Sequence, residues 1–231
     1  MTIQETILKI KQRLNKLDTN DYDNVPLWDI IEAINKATLS LISRKYGYNN
    51  ATKTGFESTR KRVDDLQILV NDEPYDLSIL KKSNYYTANI PDNYLHFVRI
   101  DVEATKGKCI KNIRSYQVEE SNIHTYMANY HMKPSFLWGE TLVTIANDKI
   151  KIYTDDEFDI KSAKLVYMRL PIKVDIEGYT HLNGQNSTNI HPEFNDDVME
   201  EIIDEATRIL KGDIQDGLGL QISQQNLNMG E

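Results

Sequence analysis

Hydrophobic residues recur at Ile3, Ile7, Ile10, Leu14 and Leu17, steps of four and three that set them on one helical stripe. Thr2 followed three residues later by Glu5 fits a capping box, which predicts where that helix begins. The polar stretch 18–24 breaks the pattern. A second helix is predicted from Pro26, a residue tolerated in a first turn because its missing N–H has no partner there. Leu27, Ile30, Ile31, Ile34, Ala37 and Leu41 form its buried face. Arg44 and Lys45 suit the negative end of its dipole, and Gly47 can stop it.

Residues 49–62 are polar and without period, as a long loop would be. Strand patterns follow at Leu66–Val70 and at His96–Glu103. In the second, Val98, Ile100 and Val102 alternate with Phe97, Arg99, Asp101 and Glu103. Asn89–Tyr94 reads as a turn. Residues 115–132 carry a weak helical pattern with Val118, Ile123, Tyr126, Met127 and Tyr130 inward, ended by Pro134. Three more strands are predicted at Thr141–Ala146, Lys149–Thr154 and Ala163–Leu170, the first two joined by the two-residue turn Asn147-Asp148 and the last closed by Pro171. After the polar run 175–191, with its turn pair Asn183-Gly184, comes the clearest helix. Phe194, Val198, Ile202, Ala206 and Ile209 share its face, Asn195 or Asp196 caps it, and Gly212 ends it.

Helices and strands are thus segregated along the chain, which predicts an α+β fold and not α/β. The expected arrangement is a helical layer, from two N-terminal helices and the long C-terminal one, with a central antiparallel β-rich sheet or sandwich insertion. By texture the parts are 1–48, 49–190 and 191–231, forming one compact domain. The tail after the last helix is rich in Gln, Asn and Gly. Its sparse apolar residues Leu218, Leu220, Ile222 and Leu227 cannot bury enough surface alone, so it is expected to be flexible and to order against a partner.

Composition narrows the function. Of 231 residues, 40% are hydrophobic and 27% charged, the range of ordinary globular proteins. No apolar run approaches the roughly 18 residues of a membrane span. The N-terminus lacks the apolar core of a signal peptide, so folding is expected where the chain is made and the triplets at Asn50 and Asn186 are expected to stay unglycosylated. The net charge is −8, 35 acidic against 27 basic side chains. The basic groups, Arg60–Arg62 and Lys106, Lys108, Lys111 and Arg114, read as solvated rims, which argues against sequence-specific DNA binding.

Motif chemistry is sparse. No phosphate loop, dinucleotide fingerprint or nucleophile elbow occurs. Cys109 stands alone and is expected to be a small core residue. His124 and His131 are seven apart, wider than helical metal ligands usually stand. The acidic loops at Asp155–Asp159 and at Asp18, Asp21 and Asp23 lack the glycine and distal Glu of a calcium loop. Nothing singles out a catalytic residue, a metal ligand or a cofactor.

One spacing pattern is informative. Lys133-Pro-Ser-Phe136 leads to Leu142–Ile145 and Lys149–Tyr153. An acidic stretch precedes Ala163–Pro171, which ends Tyr-Met-Arg-Leu-Pro, and His191-Pro-Glu-Phe194 opens an acidic helix. This resembles the head–tail adaptor (connector) proteins of tailed bacteriophages, with ring proteins of crAss-like phages the closest in their Ile, Asn, Lys and Tyr richness. The resemblance covers the last hundred or so residues well and the first two helices in outline.

It implies a non-enzymatic virion protein at the head–tail junction, assembled in the host cytoplasm. Such proteins form closed, typically dodecameric rings below the portal, extend the channel for double-stranded DNA and receive adjacent tail or ring proteins. An acidic wall would let DNA slide through without sequence recognition. The implied contact is tail docking on the portal or a neighbour through Leu218, Leu220, Ile222 and Leu227, while Ile7, Leu14, Ile30, Ile34, Val198, Ile202 and Ala206, read from their spacing, are the helical packing faces. The rival readings are another tail or baseplate protein, a small-ligand enzyme or accessory domain, and a single-stranded nucleic-acid module stacking bases on Tyr85, Tyr86, Tyr126 and Tyr130.

Overall fold

The computed structural model describes residues 1–15, 25–46, 64–71, 73–181 and 184–213. In chain order these form α1 (Ile3–Asn15), α2 (Leu27–Tyr46), β1 (Tyr75–Asp76), β2 (Leu80–Lys81), β3 (Tyr85–Asn89), β4 (Tyr94–Lys106), β5 (Cys109–Gln117), α3 (Ile123–Ala128), β6 (Glu140–Ala146), β7 (Lys149–Tyr153), β8 (Asp159–Arg169) and α4 (Asp196–Asp213). The chain is α+β. It divides into two compact units, a helical one of Met1–Ile68 with Pro171–Glu231 and a sheet unit of Leu69–Leu170. Residues 171–190, loop-like in texture, therefore belong with the helices and not with the strands they follow.

In the helical unit α4 packs against both α1 and α2. The capping box forms as expected: the Glu5 N–H donates to Thr2 Oγ1 (3.3 Å) and the Thr2 N–H donates to Glu5 Oε2 (2.8 Å). The Thr2 N–H, and then the Thr2 hydroxyl, hold the Glu5 carboxyl below its usual range. Ile3, Ile7, Ile10 and Leu14 are buried along α1. Ile30, Ile34, Ala37 and Leu41 do the same on α2, and Val198, Ile202, Ala206 and Leu210 on α4. Each fully buried Ile or Leu contributes about 1.5–3 kcal/mol, so these three stripes are what holds the unit together. Leu17 and Gly47 lie outside the described residues. The last helix continues through Gly212 to Asp213, one residue past its expected stop.

The sheet has eight strands in the order β1-β8-β4-β5-β6-β7-β3-β2. Its edge strands β1 and β2 have two residues each and are separated by only Leu77–Ile79. Such a link spans at most about 14 Å, so the sheet must curl until its edges nearly meet. One core fills the curl: Leu77, Tyr86, Ile100, Val102, Ile113, Val143, Ile150, Ile152, Ile160 and Leu165 come from all around the sheet. Short edges brought together also leave little backbone for another sheet to pair with.

All pairings are antiparallel except β5 with β6, which run parallel from Arg114↔Glu140 to Gln117↔Val143. A parallel neighbour requires a crossover, and residues 118–139 provide it. That is why the weak helix expected over 115–132 shrinks to a single 3-10 turn at Glu120–Asn122 and the six residues of α3, with residues 115–117 in β5. Ile123 packs with Val118, Tyr126 and Met127 on Leu142 and Tyr153, a second small core on the opposite face of the sheet. Tyr130 was expected inward and is instead 77% exposed.

Two strand expectations also change. Residues 64–66 are helical and Gln67–Leu69 continue as a 3-10 turn, so Leu66–Val70 is not a strand; only Val70 bridges to Met168. Its buried residues, Leu66 and Leu69, are three apart, a helical and not a strand spacing. In β4, Ile100 and Val102 face the core as expected and Ala104 continues their row, but Val98 is exposed. An irregularity in register between Phe97/Arg99 shifts the alternation by one residue there. The Asn147-Asp148 turn forms as read, both residues having positive φ (52° and 56°), the geometry of a type I′ hairpin.

Candidate assembly surfaces

The expected packing residues Ile7, Leu14, Ile30, Ile34, Val198, Ile202 and Ala206 are all buried. They build the interior of the helical unit, as packing faces should. The tail residues Leu218, Leu220, Ile222 and Leu227 lie outside the described residues, as do Arg60–Arg62 and Asp18, Asp21 and Asp23.

The acidic first turns of α4 are largely matched within the unit. Glu200 pairs with Lys9 and Arg13, Arg13 also reaches Asp204 (2.5 Å), and the N-terminal amine reaches Asp196 (2.7 Å). Lys45 bridges Asp65 (2.6 Å) and Glu201 (2.8 Å). Glu205 is 2% exposed. Burial alone would raise its carboxyl, but Arg208 and Ser40 hold it below the usual range. Burial dominates at Asp204 and raises it.

Exposed large apolar side chains occur in both units, Leu8, Leu80 and Ile110 among them, and the two tryptophans mark one group in each unit. In the sheet unit, Tyr130, Met132, Leu137 and Trp138 are 77%, 52%, 83% and 59% exposed. They stand on a tightly tied tip. The Ser135 N–H donates to the Glu140 carbonyl (2.9 Å), those of Gly139 and Glu140 to the Ser135 carbonyl (2.9 and 3.1 Å), and that of Arg114 to the Gly139 carbonyl (2.7 Å). Phe136 turns inward against Phe158 at 6.0 Å, so its successors Leu137 and Trp138 are turned out. Lys111 Nζ caps the turn, donating to the Leu137 carbonyl at 3.2 Å. A Cβ at Gly139 would stand 2.9 Å from that Nζ, and φ there is +74°, so the position takes only glycine without strain. His131 lies beside both Tyr130 and Trp138, and Lys133 sits over the Tyr130 ring.

In the helical unit, Trp28 and Leu39 are 55% and 45% exposed. They are eleven residues apart, three turns along one stripe of α2 that also carries Glu32 and Asn35. Asn35 exchanges two hydrogen bonds with the Val174 backbone (2.9 and 3.2 Å), which ties the chain to the middle of that stripe; Ile172, two residues earlier, is 54% exposed.

The polar run after Val174 holds a knot with no local signature in sequence. Asp175 is buried. Its Oδ1 accepts from Tyr179 OH (2.6 Å) and the Ile176 N–H (2.9 Å); its Oδ2 accepts from the Thr188 N–H (3.2 Å) and meets His181 Nε2 at 3.0 Å. Burial would raise the carboxyl, but these bonds hold it below its usual range. Burial, then Asp175, pushes the Tyr179 phenol up to about 12.

The other sequence candidates are scattered. Cys109, expected in a core, is exposed at the β4–β5 hairpin, where the polar turn Lys106-Gly-Lys108 holds it away from the interior. His124 is exposed on α3, and the acidic loop is partly matched, Glu157 by Lys106 (2.6 Å) and Asp159 by Lys81 and Tyr86. Of the four tyrosines considered for base stacking, Tyr86 is buried, Tyr85 packs on Tyr153 and Tyr126 on the small core, which leaves Tyr130. A shallow polar recess of about 390 Å³ crosses β4, β5 and β8 between Asp101, Glu103, Asn112 and Lys164. No helix among the described residues is long and apolar enough to cross a membrane. No protein-family model matches this chain, and no curated protein matches it.

Proposed function

We propose that the chain is a structural subunit of a phage head–tail connector ring. It closes into a ring below the portal, extends the channel for double-stranded DNA and receives the tail. The observation that carries this reading is the presence of two unlike exposed surfaces on one chain, the clustered apolar tip at Tyr130–Trp138 and the mixed α2 stripe on which Trp28 and Leu39 stand three turns apart, with Ile172 exposed on the segment tied to it. A ring closed by a repeated contact needs two unlike surfaces on each copy, whereas a two-fold dimer needs one. Large outward apolar groups that cluster mark interaction sites on monomers.

The net charge of −8 suits a wall past which DNA slides without being held. In this reading the segment beyond Asp213, with Leu218, Leu220, Ile222 and Leu227, docks on the portal or on the next copy. The test is native mass of the chain, alone and mixed with the portal protein of the same genome. A defined large complex that is lost on deleting residues 213–231 supports ring and tail docking together. A chain that stays single in both conditions overturns the ring.

A further inference from the structure

We infer that the tip Tyr130–Trp138 of one copy docks head-to-tail on the α2 face of a second copy, around Trp28, Leu39 and Ile172. This rests on the ring reading and names the contact that would close it.

The tip has the make-up of an interface anchor. Trp and Tyr are the residue types over-represented among the few that carry most binding energy. Leu137 and Trp138 are presented by a turn fixed at both ends, Ser135 bonding Glu140 and Gly139 bonding Arg114, so little conformational entropy is left to lose on docking. Phe136 roots that turn in the sheet core.

Charge indicates which surface the tip meets. Residues 129–139 contain no Asp or Glu, and they carry Lys133 with Lys111 beside them. The sheet unit holds thirteen basic and fourteen acidic residues, while the helical unit holds fourteen basic and twenty-one acidic, so seven of the eight net negative charges belong to the helical unit. On the α2 face Asp29 and Glu32 are exposed next to Trp28, with Lys36 and Lys173 toward its far end. A basic aromatic tip is complementary to the Trp28 end of this face, where the neighbouring exposed charges are both acidic. Two tips facing each other would bring like charges together. The occupant that fits is thus another copy of this chain, joined through unlike surfaces.

The test uses the whole chain and three variants, Trp138→Ala at the tip and Trp28→Ala and Leu39→Ser on α2, with circular dichroism to confirm folding. Association is measured by sedimentation across concentration, alone and with portal. Each single variant should weaken self-association about 30-fold, the loss typical of one central anchor. Mixed together, the tip variant and either α2 variant still share one intact tip and one intact α2 face, so they should form a pair of near wild-type affinity that grows no further. If the wild type associates while Trp138→Ala matches it, or while both α2 variants do, the inference falls and the ring reading stands. If the variants fail to pair when mixed, head-to-tail docking falls. If the wild type stays single alone and with portal, the ring reading falls and the contact with it.

Discussion

Replacing Asp175 by Asn keeps the volume of the side chain and removes its charge. Both carboxylate oxygens of Asp175 are in use, one by Tyr179 OH and the Ile176 N–H, the other by His181 and the Thr188 N–H. In the variant one oxygen becomes an NH2 group that can only donate. Whichever way the amide turns, it faces a backbone N–H, of Ile176 or of Thr188, that cannot reverse its role. A hydrogen bond to a charged acceptor is worth about 1.5–3 kcal/mol net, and a buried donor left unmet costs about 1–3 kcal/mol. With His181 39% exposed, and so able to exchange its lost partner for solvent, the loss should be about 2–4 kcal/mol. Urea unfolding at neutral pH measures it, and hydrogen exchange at Ile176 and Thr188 should speed up first. Because the carboxyl is held below its usual range, its contribution is present above the ordinary Asp pKa of about 3.9 and is lost as pH falls through the folded value. The variant should therefore lose less stability than the wild type on acidification. A loss under about 0.5 kcal/mol, with unchanged exchange, would refute this account of the knot.

Other consequences are as direct. Ile202→Ala removes a side chain with no solvent exposure at the centre of α4 and should cost about 2–5 kcal/mol in denaturant unfolding. Asp148→Gly should stabilise by about 0.5–1 kcal/mol, since Asp148 sits at φ 56° in a turn that favours glycine there; a destabilised variant would count against the type I′ geometry. Glu205, held low by Arg208, should lend the helical unit stability that is present above the ordinary Glu value and fades as pH falls through its folded value. Glu205→Gln should remove that part of the acid sensitivity in thermal melts. The Tyr179 phenol should titrate near 12 by near-ultraviolet absorbance and move down in Asp175→Asn, because burial and then the carboxylate raise it.

Helices were legible where one face is apolar and the other polar. The α1, α2 and α4 stripes, the Thr2–Glu5 cap and the start after Pro26 all follow from local spacing. Strands were legible where both faces are covered: Leu142 and Val143 enter different cores, so β6 reads as an apolar run. The strand β5 was not legible, because only Ile113 of its row turns to the core while Lys111, Asn112 and Arg114 meet solvent. Nor was β3, Tyr85–Asn89, with two buried residues between turns. Asp175 could not have been picked out, since its partners are one, four, six and thirteen residues away and no helix or strand period links them. The tip is visible in sequence as Tyr130, Met132, Leu137 and Trp138, but local pattern cannot tell apolar residues that turn out from those, like Phe136, that turn in.

Electron microscopy of the complex with portal bears most directly on the central claim. Closed rings of one fixed copy number, with the Tyr130–Trp138 tip of each subunit on α2 of the next, are the predicted result. Single subunits scattered on the portal, or open chains of varying length, would contradict it.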